Sequence, residues 1–262
     1  MSAALRIFFL GGITSYRALF NWITPWVLIP TFIIAPLMEL LFFAFVGKDA
    51  GVGDSTFFLI GSSVLAAAIP ALFAMGNTIA DERRSQTLGL LLVSPARRLP
   101  LFLGRAIPVI LNGFLVSLVS LVLGALVLRV PLPPSTWLPL LTVLAITSFS
   151  CTGLGLTGAA IGLRVRETAT LSNVILGLLI VFGGAYAAVS ALPVWMQQVS
   201  HVLPLSHGME AGRAIAAGAP VVDVLPLLRD EMAIGVVYSM IGMGLLFLFE
   251  RQSRRHATLE LA

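Results

Sequence analysis

Polar residues in this chain fall into short clusters separated by apolar blocks of 18 to 27 residues. Six blocks stand out, at 23–46, 57–80, 106–128, 137–163, 168–190 and 232–249. A helix rises 1.5 Å per residue, so about 20 apolar residues cross a hydrocarbon core about 30 Å thick. Backbone groups in lipid must be satisfied within the segment, which makes each block a predicted spanning helix. A different pattern precedes the first block. Leu5, Phe8, Phe9, Gly12, Ile13, Tyr16, Leu19 and Phe20 recur at helical spacing, with Arg6, Thr14, Arg17 and Asn21 opposite them. Residues 1–22 therefore read as an amphipathic helix lying in the membrane interface, with Leu10 as the one exception. Residues 191–220 are moderately apolar, but Pro193, Pro204 and Pro220 cut them into pieces too short to cross. They predict a short re-entrant or surface-lying helical pair before the last span. The expected architecture is an all-α polytopic membrane protein forming one domain over residues 1–262.

Composition strengthens this reading: 58% of residues are hydrophobic and 11% charged, with a mean hydropathy of +1.00. Placement of the basic residues then sets orientation. With the N-terminus inside, the inner segments hold 12 arginines, and the outer ones hold only Lys48, Arg129, Arg213 and Arg229. The positive-inside rule thus predicts both termini cytoplasmic. A pI near 10.0 follows from these scattered loop arginines, not from a basic face, so no nucleic-acid partner is expected. The single Cys151 lies in an apolar run and excludes an intrachain disulfide.

Catalytic readings fail on spacing. GVGD at 51–54 matches the GxGD of intramembrane aspartyl proteases, but Asp54 falls in a predicted outer loop and no second aspartate lies in a span. His201 and His207 lack zinc-ligand spacing and suit a turn or cap. No GxxxxGK[ST] is present, so no phosphate-cradling loop forms here, no cofactor is expected on the chain, and an ATP-driven process needs an ATPase on another chain. Glu39 is the one carboxylate inside a predicted span. It is either a substrate-path or gate residue, or a residue facing water where the span ends early.

The longest predicted cytoplasmic loop, 81–100, carries six charges around Leu88, Leu90, Leu91, Leu92 and Val93. Thr87, Leu88, Leu91 and Leu92 share one side of a short helix, with Arg83, Arg84 and Gln86 near its start and Pro95 stopping it. A cytoplasmic helix with an exposed leucine stripe is suited to a protein groove or a membrane surface. Glu82 to Pro95, ERRSQTLGLLLVSP, resembles the cytoplasmic signature of ABC type-2 exporter permeases: an acidic–basic pair, Gly-Thr-Leu-Glu, a leucine run, then Thr-Pro or Ser-Pro. Two positions depart, Gln86 standing for the usual Gly and Gly89 for the usual Glu. His201 to Gly218 resembles the family's Pro-containing stretch in the broken helical pair.

The resemblance implies a permease that is not itself an enzyme. It would pair with a second copy or a different permease, above two P-loop ATPase subunits that bind ATP and Mg. Glu82, Arg83, Arg84, Thr87, Leu88, Leu91 and Pro95 would form the ATPase-coupling segment. A prokaryotic cell membrane is the expected location, with membrane lipids as further partners. For the path or gate the candidates are Glu39, Phe42, Phe43, Phe58, Asn173 and Tyr186. The outer aromatics serve either as interfacial anchors or as gate residues. An apolar lateral path suits a hydrophobic drug, antibiotic or lipid-like cargo. A lipid-linked glycan exporter, or a carrier working without an ATPase, are the alternatives.

Overall fold

The computed structural model describes Trp26 and residues 29–84, 98–162, 164 and 167–256. Among these residues the fold is helical throughout, with no strand. A five-residue π turn, Pro30–Ile34, runs directly into helix α1, Ala35–Asp49. Pro36 has no N–H for the fourth preceding carbonyl, and the ladder shifts register there: the Ala35 N–H bonds the carbonyl of Pro30. A short turn leads to α2, Ser55–Leu65, and α3, Ala68–Arg84. Together they supply one continuous apolar stretch, Ser55–Gly76. Pro70 cannot donate to the Ala66 carbonyl, and the chain loosens to an i→i−3 bond at Ala67 before continuing.

Then follow α4, Arg98–Leu128, α5, Pro134–Gly162, and α6, Thr168–Phe182. After a loop and one 3₁₀ turn, Val189–Ala191, come the short α7, Val194–Ser200, and α8, Ser206–Ala216. The long α9, Val221–His256, closes the described chain. Four stretches are long and apolar enough to cross a membrane: Ser55–Gly76, Gly104–Leu128, Pro134–Gly162 and Val221–Phe249. Thr168–Phe182 is a shorter apolar helix.

Helix α5 is the axis of the bundle, buried along most of its length between α3 and α9. Small residues make this possible. A Cβ on Gly155 would strike the carbonyl of Ala71 in α3, and one on Gly153 would come 2.5 Å from the carbonyl of Gly235 in α9. From the other side, Gly235 and Gly242 let α9 approach Ser150 and Thr157. Thr157 Oγ1 crosses the seam to the Tyr238 carbonyl at 2.8 Å, while Thr147 and Thr152 bond carbonyls one turn back in their own helix. Close backbone approach with internally satisfied hydroxyls is how apolar helices associate without a hydrophobic driving force between them.

Three boundaries differ from the sequence expectation. The first helical stretch extends to Asp49 rather than stopping at 46. The fifth block yields a helix only to Phe182, because Gly183 and Gly184 end it and Gly184 sits at φ 86°. The final helix begins at Val221, well before 232. Asp223, Arg229, Asp230 and Glu231 gave its first turns a loop-like composition, yet they are helical. The two short helices α7 and α8 occupy the region of the predicted helical pair. The predicted interface helix, 1–22, lies outside the described residues, as do Thr87, Leu88, Leu91 and Pro95. Glu82, Arg83 and Arg84 form the backbone of the last turn of α3.

Candidate functional site at the α1–α2 end of the bundle

Chain direction brings the C-terminal ends of α1 and α6 together with the N-terminal ends of α2, α5 and α9. Asp54, the residue of the GVGD motif, has a plain structural role here: its carboxylate caps α2 by accepting the Phe57 N–H at 2.8 Å. Behind this turn, Phe58 is buried against Gly47 of α1 and stands edge-on to Phe57.

Glu39 projects from α1 and accepts a 2.7 Å hydrogen bond from the Tyr186 hydroxyl. Tyr186 comes from the loop that follows α6, and its ring stacks on Phe43, one turn beyond Glu39, with centroids 3.7 Å apart. Phe42 stands edge-on to Phe43 and is 60% exposed on the outer face of α1. Four of the sequence candidates, Glu39, Phe42, Phe43 and Tyr186, therefore form one cluster. Phe58 packs between α1 and α2 instead. Asn173 lies on the exposed face of α6, its amide bonded to the Ala169 carbonyl at 2.9 Å.

The Tyr186 loop is held from its other side by Arg213 of α8. One guanidinium nitrogen donates to the carbonyls of Gly184 at 2.8 Å and Ala185 at 3.0 Å, and the group lies 3.5 Å from the centre of the Phe57 ring. No carboxylate among the described residues pairs with it. Burial pulls its pKa down to about 10, which leaves the side chain protonated at neutral pH. A cation thus neutralises the exposed carbonyl ends of an irregular loop, and an aromatic face supplies the rest of its environment.

Helix α8 is itself anchored by a residue that sequence reasoning missed. Glu231 of α9 is 0% exposed. Its two carboxylate oxygens accept the N–H of Leu205 at 2.9 Å and of Gly208 at 3.2 Å, at the start of α8. The first amides of a helix have no internal acceptor and carry partial positive charge, so a buried carboxylate is stabilised there. Leu205 holds φ 83°, a conformation that aims its amide at this acceptor. Glu39 is therefore not the one carboxylate within a long apolar helix, as the sequence reading had it. The only available signal was helical phase: Glu231 falls four residues before Gly235 and eleven before Gly242, on the face packed against α5.

His207, in the first turn of α8, is buried and its Nδ1 has no hydrogen-bond partner. Burial, then the neighbouring His201 ring 5.5 Å away, pushes its pKa below the usual histidine value. Among the described residues no group of three or more His, Cys, Asp and Glu side chains could hold a metal ion.

A small cavity of about 20 Å³ opens beside Glu39, between α1, the α2–α3 junction and α6. Ser62, Leu65, Ile69, Leu176 and Ile180 line it with Glu39. It accommodates a group the size of one water and is far below the 300–1,000 Å³ of a drug-sized pocket.

Comparison with known proteins decides the family. The family model for "ABC-2 type transporter" matches residues 12–216. The chain belongs to the ABC-2 type transporter family. It is 28% identical over 149 residues to the probable multidrug ABC transporter permease YbhR of Escherichia coli K12, covering 53% of this chain and 40% of that relative. Nodulation protein J of Rhizobium leguminosarum bv. trifolii is 27% identical over 190 residues, 68% of each chain. The match to the first relative thus spans less than half of its length. As an ABC-2 family member with several apolar helices of crossing length, the chain has the features of a membrane transport protein.

Proposed function

We propose that this chain is the membrane-spanning permease subunit of an ATP-binding-cassette exporter, driven by ATPase subunits outside these 262 residues. The single observation that carries the reading is the family match over residues 12–216, which includes the segment ERRSQTLGLLLVSP. The sequence has no GxxxxGK[ST] loop of its own, which supports a separate engine binding ATP and Mg. Chemistry on ATP belongs to that partner, and the permease moves.

In this reading the chain crosses a prokaryotic cell membrane six times with both termini cytoplasmic. The π turn and α1 together extend about 30 Å, enough for the first crossing. The fifth crossing is completed by the irregular loop after Phe182. Non-helical backbone is tolerated at membrane depth where protein groups satisfy it, and Arg213 supplies that at Gly184 and Ala185. Residues 81–100 couple the permease to the ATPase: Leu88 and Leu91 bury in a cleft of that subunit, and Glu82, Arg83 and Arg84 frame them. The α1–Tyr186–α8 cluster acts as the outer gate. The cargo is a hydrophobic drug, antibiotic or lipid-like molecule, in keeping with the lipid-facing aromatics of α1 and the apolar cavity walls.

The test is ATP hydrolysis by the reconstituted complex with and without substrate. Leu88→Asp or Leu91→Asp abolishes transport-linked hydrolysis while the permease still inserts. Undiminished coupling in both variants refutes the assignment.

A further inference from the structure

We infer that the cavity beside Glu39 is a binding site for a primary ammonium group carried on an apolar tail. The inference rests on the exporter reading and names the chemistry of its cargo. A carboxylate offers about four acceptor positions, and Glu39 has one filled, by the Tyr186 hydroxyl. Among the described residues no cation pairs with it. Ser62 adds a second observation. It lines the same cavity at 5% exposure, and its hydroxyl reaches only the Tyr186 hydroxyl, which leaves it an open acceptor position toward the cavity. A buried hydroxyl and a carboxylate with open acceptor positions thus border one space whose other walls are aliphatic.

Charge decides the ligand. A neutral donor would satisfy the open lone pairs but leave the carboxylate uncompensated in an apolar wall, whereas an ammonium donates charge-assisted hydrogen bonds and cancels the charge. Size narrows it further. A cavity of about 20 Å³ admits an –NH3+ head, and a trimethylammonium head is too large. Three donors on one nitrogen match Glu39 and Ser62 and leave one for water. A space of that size holds the head alone, so the tail lies outside it, against the partly exposed edges of Ile69, Leu176 and Ile180. It leaves between α1 and α6, whose outer faces expose Met38, Phe42, Val174 and Leu178. The stacked Phe43–Tyr186 pair beside the carboxylate holds Glu39 in place from the loop side. The same chemistry describes a free long-chain amine or the head group of an aminophospholipid.

The experiment uses the purified full chain in nanodiscs of phosphatidylcholine and phosphatidylglycerol, without ATPase, titrated with tritiated dodecylamine at pH 7. Saturable binding is expected, displaced by unlabelled dodecylamine but not by dodecanol or dodecyltrimethylammonium. Glu39→Gln keeps an acceptor for Tyr186 but loses the charge, and weakens binding about 10- to 100-fold, the equivalent of one charge-assisted hydrogen bond. Ser62→Ala, which retains the carboxylate, weakens it about 2- to 10-fold and serves if Glu39→Gln fails to fold. Repeating the titration with phosphatidylethanolamine in the disc separates the sources: competition assigns the site to a lipid head group, and its absence to a free amine. Equal binding by the variants, equal competition by dodecanol, or binding that never saturates overturns the inference. Leu88→Asp leaves amine binding intact, so failure of the coupling reading and failure of the ammonium site are separable.

Discussion

Truncating Glu231 to alanine is expected to loosen the whole α8 end of the bundle. The carboxylate accepts two buried backbone N–H groups, from Leu205 and Gly208, and no other acceptor serves them. Each amide left unsatisfied costs about 1–3 kcal/mol, and the positive end of a helix loses a favourable charge worth about 0.3–1 kcal/mol. Release of the buried carboxylate's own desolvation penalty offsets part of this. A net loss of about 3 kcal/mol is the central figure, or about 6–12 °C in melting midpoint at 2–4 °C per kcal/mol for a chain of this size. The protein carries its own reporter. Cys151, its single cysteine, is fully buried in α5 near Glu231 and becomes accessible to a thiol-reactive maleimide dye only on opening. A thermal ramp in mild detergent with that dye reads the midpoint directly. Glu231→Gln retains one acceptor but turns an N–H₂ toward the second amide, so it should fall about midway. A shift below about 2 °C for Glu231→Ala would show that α8 is held by packing alone and refute the capping argument.

Four further outcomes follow from the same structure. The buried His207 has a depressed pKa, so the unfolded chain binds a proton that the folded one resists. Its contribution to stability is complete above the ordinary histidine value near 6.5 and is lost as pH falls through the lower folded value. The melting midpoint should therefore drop as pH is lowered below neutrality, and His207→Gln should flatten that drop. Arg213→Ala, which strips the donor from the Gly184 and Ala185 carbonyls, should lower the midpoint clearly. Arg229→Ala should not, because its ion pair with Asp230 is exposed, with Arg229 at 79%. Gly155→Ala places a methyl against the Ala71 carbonyl and should cost several degrees, whereas Gly177→Ala meets nothing within 4 Å and should be neutral or slightly stabilising.

Helix identity was legible because hydropathy over some twenty residues is set by the solvent, and four of the six predicted blocks carry helices long and apolar enough to cross a membrane. Helix ends were legible only where a residue acts locally. Pro193 and Pro204 correctly cut 191–220 into short helices, since proline breaks a helix without reference to the rest of the fold. The start of α9 was not legible. Asp223, Arg229 and Asp230 are polar because that end of the helix is solvated, and hydropathy reads this as a loop. Only the burial of Val224, Leu228 and Glu231, in helical phase with Gly235, shows that the helix was already under way.

The cluster around Glu39 shows the same limit from the other direction. Glu39 stood out in the sequence because a carboxylate in an apolar block is costly, and that cost is local information. Its partner Tyr186 is 147 residues away, and the pairing depends on where α6 stops. Had the fifth block stayed helical to 190, Tyr186 would have taken whatever helical phase gave it. Gly183 and Gly184 end the helix instead, and Arg213 captures the freed carbonyls, which fixes Tyr186 over Phe43. Arg213 in turn is placed by α8, and α8 by Glu231. Two acidic residues, the half-buried Glu39 facing a cavity and the buried Glu231 facing a helix terminus, thus lie at opposite ends of a single chain of contacts. Movement of α9 against α5 would be felt at Glu39 through α8, Arg213 and the Tyr186 loop, and under the exporter reading proposed above this is the route by which the outer end would open.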